Sequence, residues 1–187
     1  MSDPQSPPYP GSYWVVPGTL LAGCYPGGHD DASTEERLIA LLDAGIHSVI
    51  NVMEEEELVE HEPGIHYLPY EDRLEALGGE RGLIVEIATY AIEDGTAPQE
   101  GEMQLILDAI DGEVDGRNSP TLIHCSDGHG RTGMVVGCYL ARHGVAKGKD
   151  ALAKIRELRA PFPELAEHRS PANMVEEKFV LRWKEDQ

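Results

Sequence analysis

Short apolar runs alternate with amphipathic stretches along this chain, and the alternation predicts strands and helices in turn. Tyr13 to Gly23 (YWVVPGTLLAG) reads as two short strands around a Pro17-Gly18 turn. Ser33-Thr34-Glu35-Glu36 fits a capping box, and Leu38, Ile39, Leu41 and Leu42 give the helix that follows an apolar face, with Gly45 ending it. His47 to Val52 is a short buried strand, and Glu54 to Glu60 reads as a solvated acidic helix. Ile65 to Tyr70 is a further strand candidate, and Leu83 to Ile92, rich in β-branched and aromatic residues, reads as a strand with a helix as the alternative. Thr96-Ala97-Pro98-Gln99 supplies a cap and an early helical proline, and Met103, Ile106, Leu107 and Ile110 recur at helical spacing. Ser119 to His124 is an apolar strand followed by a glycine-rich loop. Helices are expected from Thr132 to Arg142, from Lys149 to Arg159, and from Ser170-Pro171 towards Trp183.

Strands that alternate with helices, without internal repeats, predict a single α/β domain with a central, mostly parallel sheet flanked by helices. At 187 residues the chain is long enough for one well-cored domain. Residues 1–12, rich in Pro, Ser and Gly, are expected to form a flexible arm, and residues 13–187 the domain. No apolar run approaches the roughly 20 residues that span a bilayer. The opening MSDPQSPPYPGS has neither the basic start nor the apolar stretch of a signal peptide. The expectation is therefore a cytoplasmic protein without integral membrane association.

Charge narrows the partners. With 34 acidic against 15 basic residues, the formal net charge is −19, a surface that repels nucleic acid and anionic lipid. It repels phosphorylated substrates as well, so a phosphate site here needs a concentrated local positive field. Cys24, Cys125 and Cys138 form no CxxC pair and no even-numbered framework, which argues against structural zinc and a disulfide scaffold.

Cys125-Ser126-Asp127-Gly128-His129-Gly130-Arg131-Thr132 supplies that field between a strand and a helix. A loop bearing Gly128 and Gly130 can turn its backbone N–H groups inward around an anion, and the helix beginning near Thr132 adds its positive dipole end. Ser126, Asp127, Gly128, His129, Gly130 and Arg131 are thus candidate phosphate-binding residues. The same groups would favour the thiolate of Cys125, the candidate nucleophile. Arg131 can grip two phosphate oxygens with its planar fork, and Thr132 can donate its hydroxyl to the sulfur. His124 is expected to orient the loop rather than act as a base, because an ionised thiolate needs none. Neither metal nor cofactor is required. Asp94, Asp72, Glu93 and Asp127 are candidates for the acid that protonates a leaving oxygen.

HCSDGHGRTG closely resembles the signature of the protein tyrosine phosphatase superfamily, His-Cys-x5-Arg-Ser/Thr-Gly, and the chain is similar to small bacterial dual-specificity-type phosphatases from about Tyr13 to Trp183. WVVPGTLLAGCYPG, IEDGTAPQEGEMQLILDAIDGEV and SPANMVEEKFVLRW carry the rest of the likeness. The resemblance implies a phosphoric monoester hydrolase that forms a phosphocysteine, acting on a phosphorylated protein or a small phosphomonoester. It singles out Asp94, in the Ile-x-Asp segment 31 positions before Cys125, as the general acid, with Asp72 second. A phosphoinositide or inositol phosphate phosphatase is the alternative, but the loop has no lysine, and its one added potential cation is His129. A partial charge there would make affinity depend on pH near 6 to 7. Cys-Ser-Asp-Gly also opens the loop of myotubularin-like phosphatases, which carry a second Asp where this chain has Gly130. Asp127, where related loops often hold alanine or glycine, is expected on the rim with its role open. Cys24 and Cys138 are possible disulfide partners for an oxidised Cys125, Cys138 being placed in the core.

Overall fold

The computed structural model describes residues 6–28, 30–58 and 68–184. Strands β1 (Ser12–Val16) and β2 (Leu20–Gly23) pair antiparallel around Gly18, whose φ of +70° needs no Cβ to avoid. Helix α1 (Asp31–Asp43) begins two residues before the expected box. Its cap is Asp30, whose carboxylate accepts from Ser33 N at 2.7 Å. Strand β3 (Ser48–Asn51) is buried throughout and is followed by a 3-10 turn, Glu55–Leu58, in place of the expected acidic helix. Helix α2 (Glu71–Glu80) was not foreseen, because Gly78-Gly79 breaks its pattern, yet Leu74 and Leu77 are buried.

Strand β4 (Glu86–Thr89) is shorter than the expected 83–92, and Leu83 and Ile84 beside it are exposed. The strand expected at 65–70 falls partly outside the described residues, and Leu68 to Tyr70 form none. Helix α3 (Glu100–Asp111) is capped by Gln99, so Pro98 precedes it, and a π-helical turn (Gly112–Gly116) leads on to β5 (Thr121–His124). Helices α4 (Arg131–Arg142), α5 (Lys149–Arg159), α6 (Pro163–Ala166) and α7 (Met174–Arg182) complete the chain. The last begins at an Asn173 cap rather than at Ser170-Pro171.

The five strands run in the order β1-β2-β5-β3-β4, parallel except for β1 against β2. Helices flank the sheet, as expected of an α/β domain. Helix α4 is buried from Arg131 to Ala141, packing on β2 and β5 and against α3, α5 and α7. Residues 1–5 of the expected arm lie outside the described residues, and over 6–12 the expectation needs correction. Tyr9 is buried with its hydroxyl donating to Cys24 O at 2.7 Å, and Ser12 is already in β1, so the domain starts before Tyr13. Among the described residues no helix is long and apolar enough to cross a membrane.

Candidate active site

The central strand β5 ends at His124, and the loop from Cys125 to Gly130 lies at its carboxyl end, where open parallel sheets place their ligands. Neighbouring strands deliver the surroundings. After β2, Tyr25 N donates to Ser126 O at 3.0 Å; after β3, Val52 N donates to His124 O at 3.0 Å, and the chain runs on to Glu57. After β4 come Ile92 and Asp94. Gly128 is fixed by two constraints. Its φ is +73°, and a Cβ there would meet Cys24 N and Gly23 C at 2.6 Å. A Cβ on Gly130 would meet Oε1 of Glu176 at 2.6 Å.

Cys125 is buried, and Thr132 Oγ1 donates to its Sγ at 3.1 Å. Burial pushes the thiol's pKa up and Asp127 adds to this, while Arg131 and the Thr132 bonds pull the other way. Burial thus opposes the thiolate that the cation and helix start were expected to secure. His124 stands between Tyr70 Oη, 2.8 Å from Nε2, and Cys125 O, 3.2 Å from Nδ1. Burial first, then Arg131, pushes its pKa down to about 4, so the ring is neutral at pH 7 with Nδ1–H as donor and Nε2 as acceptor.

Arg131 is 1% exposed. Glu57 grips it through both carboxylate oxygens, Nη1 to Oε1 in a very short contact and Nη2 to Oε2 at 2.7 Å. Nη1 donates to Ile92 O at 3.1 Å, Nη2 to Ser126 Oγ at 3.3 Å, and Asp94 Oδ1 lies 3.2 Å from Nη2. Burial alone would weaken this charge, but Glu57, Cys125 and Asp94 outweigh it and hold the guanidinium protonated. Among the described residues its buried Nε has no hydrogen-bond partner. Asp94 sits in a turn at Gly95 (φ +72°), with an exposed carboxylate that reaches the arginine. Glu93, one position earlier, is exposed, and Asp72 lies exposed on α2, an element that packs on α1. Glu57 was read as part of a solvated run, and no signal in Glu54 to Glu60 separates it from its neighbours.

Asp127 is exposed, but its Oδ1 turns back to accept from His129 N at 2.9 Å and lies 3.7 Å from Sγ of Cys125. Behind the loop, buried Arg159 donates to Gly128 O and Leu165 O at 3.0 Å and to Nδ1 of His129 at 2.7 Å. His129 stacks on His168 at 4.6 Å, and its carbonyl accepts from Ser170 Oγ at 2.7 Å. Burial chiefly, with Arg159 and His168, pushes the His129 pKa down to about 4, so it adds no charge near pH 7 and the expected affinity change there is withdrawn. Arg159 was overlooked although a signal existed: Ala151, Ile155 and Arg159 follow at i, i+4, i+8 on the buried stripe of α5. Glu176, also overlooked, is 1% exposed and caps α7, accepting from Ala172 N and Asn173 N at 2.9 and 3.1 Å; burial pushes its carboxyl pKa up. Asn173 Nδ2 donates to Gly95 O at 3.2 Å, tying the Asp94 turn to α7. Cys24 and Cys138 are free thiols, Cys138 in the core of α4.

The chain matches a family model described as Swiss Army Knife protein, DSP-PTPase phosphatase domain, over residues 10–161. It is 32% identical over 108 residues to "Putative tyrosine phosphatase 067L" of Invertebrate iridescent virus 3, across 54% of this chain and 45% of that one. The match thus spans less than half of that relative's length. The crystal structure of Tk-PTP in the active form is similar at TM-score 0.66 and 25% identity, covering 96% of this chain and 99% of that one. PTPMT1 in complex with PI(5)P shares the fold at TM-score 0.60 and 18% identity, covering 91% and 94%.

Proposed function

The chain belongs to the DSP-PTPase phosphatase domain family, and we propose that it hydrolyses phosphomonoesters through a phosphocysteine, as a protein tyrosine or dual-specificity phosphatase. One observation carries the reading. Cys125 Sγ takes a hydrogen bond from Thr132 at 3.1 Å, in a loop whose Arg131 keeps a buried Nε–H without a partner among the described residues. A phosphoryl oxygen satisfies that donor. The thiolate of Cys125 bonds to phosphorus as the ester bond breaks, and the leaving oxygen takes a proton from Asp94. Arg131 and the loop amides from Ser126 to Gly130 hold the non-bridging oxygens. Water then gives its proton to Asp94 and attacks phosphorus. The P–S bond breaks with its electron pair staying on sulfur, stabilised by the Thr132 hydroxyl, and inorganic phosphate leaves.

A substrate with one phosphate suits the site. The loop contains no lysine, and a neutral His129 adds nothing to the charge of Arg131 near pH 7. Three free cysteines fit a reducing compartment, so we place the protein in the cytoplasm, which fractionation of its host would check. The decisive experiment is a panel of phosphotyrosine, phosphoserine and phosphothreonine peptides, inositol phosphates and phosphoinositides, run with Cys125→Ser and Asp94→Asn. Phosphotyrosine peptides are expected to turn over fastest. Cys125→Ser should abolish turnover, and Asp94→Asn should slow it by about 10²-fold or more. Turnover retained in Cys125→Ser overturns the mechanism, and faster turnover of inositol phosphates overturns the substrate assignment.

A further inference from the structure

Two elements diverge from the Asp94 turn. Asn173 Nδ2 donates to Gly95 O at 3.2 Å, which pins the cap of α7 to that turn. From there the chain after Asp94 runs through Ala97 and Pro98 into α3, while α7 runs through Phe179 to its C-cap, Trp183. Between them lies a cavity of about 250 Å³, with Ala97, Pro98, Phe179 and Trp183 as apolar walls and Gln99 and Arg182 among its other lining. Val175, Phe179 and Trp183 recur at i, i+4 and i+8, so they follow one face of α7. Along that face exposure falls from Val175 at 52%, through half-buried Phe179, to Trp183 at 4%. The Phe179 and Trp183 rings stack at 5.5 Å.

We propose that this groove receives an apolar side chain of a phosphoprotein substrate, carried a few residues along the chain from its phosphorylated residue. Volume, lining and position each bear on the occupant. The cavity is smaller than the roughly 300–1,000 Å³ of small-molecule sites, so it takes a side chain rather than a whole ligand. Its walls are apolar, so the side chain is apolar too. It opens beside the turn that carries the candidate acid, so a chain whose phosphate lies at Cys125 can lay a neighbouring residue into it. A second copy of this chain is the poorer occupant, because a net charge of −19 opposes self-association. From Val175 to Trp183 the face extends about 12 Å, the reach of about four extended residues, so the apolar residue belongs within about five positions of the phosphorylated one.

The inference rests on the phosphatase reading of the loop and adds a partner class to it. Its test uses alanine-based phosphotyrosine peptides in which one phenylalanine is stepped through about five positions on either side of the phosphotyrosine. One position should raise kcat/KM about tenfold over the all-alanine peptide, the effect of one side chain entering a preformed apolar site. Ala97→Leu fills the cavity and Val175→Asp puts a charge at its mouth. In each, the ratio of kcat/KM for that peptide to kcat/KM for the all-alanine peptide should fall at least threefold. Circular dichroism checks that each variant folds, and Val175→Asp, at an exposed position, decides alone if Ala97→Leu does not. A ratio within twofold of one at every position in the wild type, or a smaller fall in a folded variant, overturns the proposal. So does a dimer in sedimentation that Val175→Asp dissolves, which gives the groove to a second copy. Failure of the phosphatase reading shows separately, as aryl phosphate turnover that survives in Cys125→Ser.

Discussion

Two arginines are buried on two sides of one loop, and they are held by different kinds of partner. Arg131, 1% exposed, faces carboxylates from Glu57 and Asp94; Arg159, 2% exposed, faces the carbonyls of Gly128 and Leu165, a neutral imidazole, and the ring of Tyr13 at 5.7 Å. A carboxylate carries charge and planar geometry like those of the phosphate it can give way to, so the Arg131 contacts are exchangeable. Carbonyl dipoles leave most of a cation's charge uncompensated, and nothing entering from solvent replaces them. Arg159 therefore holds the loop's shape from behind. One arginine is for the ligand, the other for the fold.

The largest expected effect separates them by function. Arg131→Lys should lower kcat/KM by about 10³-fold, because an ammonium cannot make the bidentate grip, yet cost only about 1 kcal/mol of stability, since a cation still faces Glu57. Steady-state kinetics beside urea denaturation measure both, and a large stability loss with modest kinetic loss would erase the distinction. Arg159→Met should reverse the pattern. Stranding the carbonyls of Gly128 and Leu165 should cost about 2–4 kcal/mol in denaturant, with a smaller fall in turnover. An unchanged denaturation midpoint would show that its bonds are dispensable.

The smallest effect concerns the ring that Arg159 holds. The folded-state pKa of His129, about 4, lies below its ordinary 6.5. Its contribution is therefore fully present above pH 6.5 and is lost as pH falls towards 4. Discounted for its partial exposure, that loss is about 1 kcal/mol between pH 7 and 5. Denaturation midpoints at these two pH values should differ less in His129→Gln than in wild type; an equal difference would mean that the ring titrates normally.

How much of this the sequence carried depends on the distance between partners. Cys125, Arg131 and Thr132 stand within one strand–loop–helix step, so their spacing alone suggested a site, and the strand and helix that bracket it were read to within a few residues. Asp94 needed a family pattern, since a carboxylate in so acidic a chain has no local mark. Glu57 meets Arg131 across 74 positions from a run of like residues, and pairing at that range is a tertiary event that no window of sequence contains. Arg159 differs, because its place on the apolar stripe of α5 was visible in the sequence, which placed it only as the last residue of that helix. The strand at 83–92 was overlong because β-branched and aromatic content marks strand propensity but not where pairing ends; β4 is an edge strand paired only over Glu86–Thr89, with Ile84 outside it 78% exposed.

The site draws on the ends of four neighbouring parallel strands: Gly23 at the end of β2 with Cys24 after it, Glu57 after β3, Ile92 and Asp94 after β4, and Cys125 after β5. No two of the first three are joined to the loop by local contacts, so each closes a long stretch of chain before it can act. During refolding, helical signal can return while these closures are incomplete, but turnover cannot. Recovered activity should thus trail the return of helix and coincide with the final cooperative step, which makes catalysis a kinetic clock for completion of the sheet.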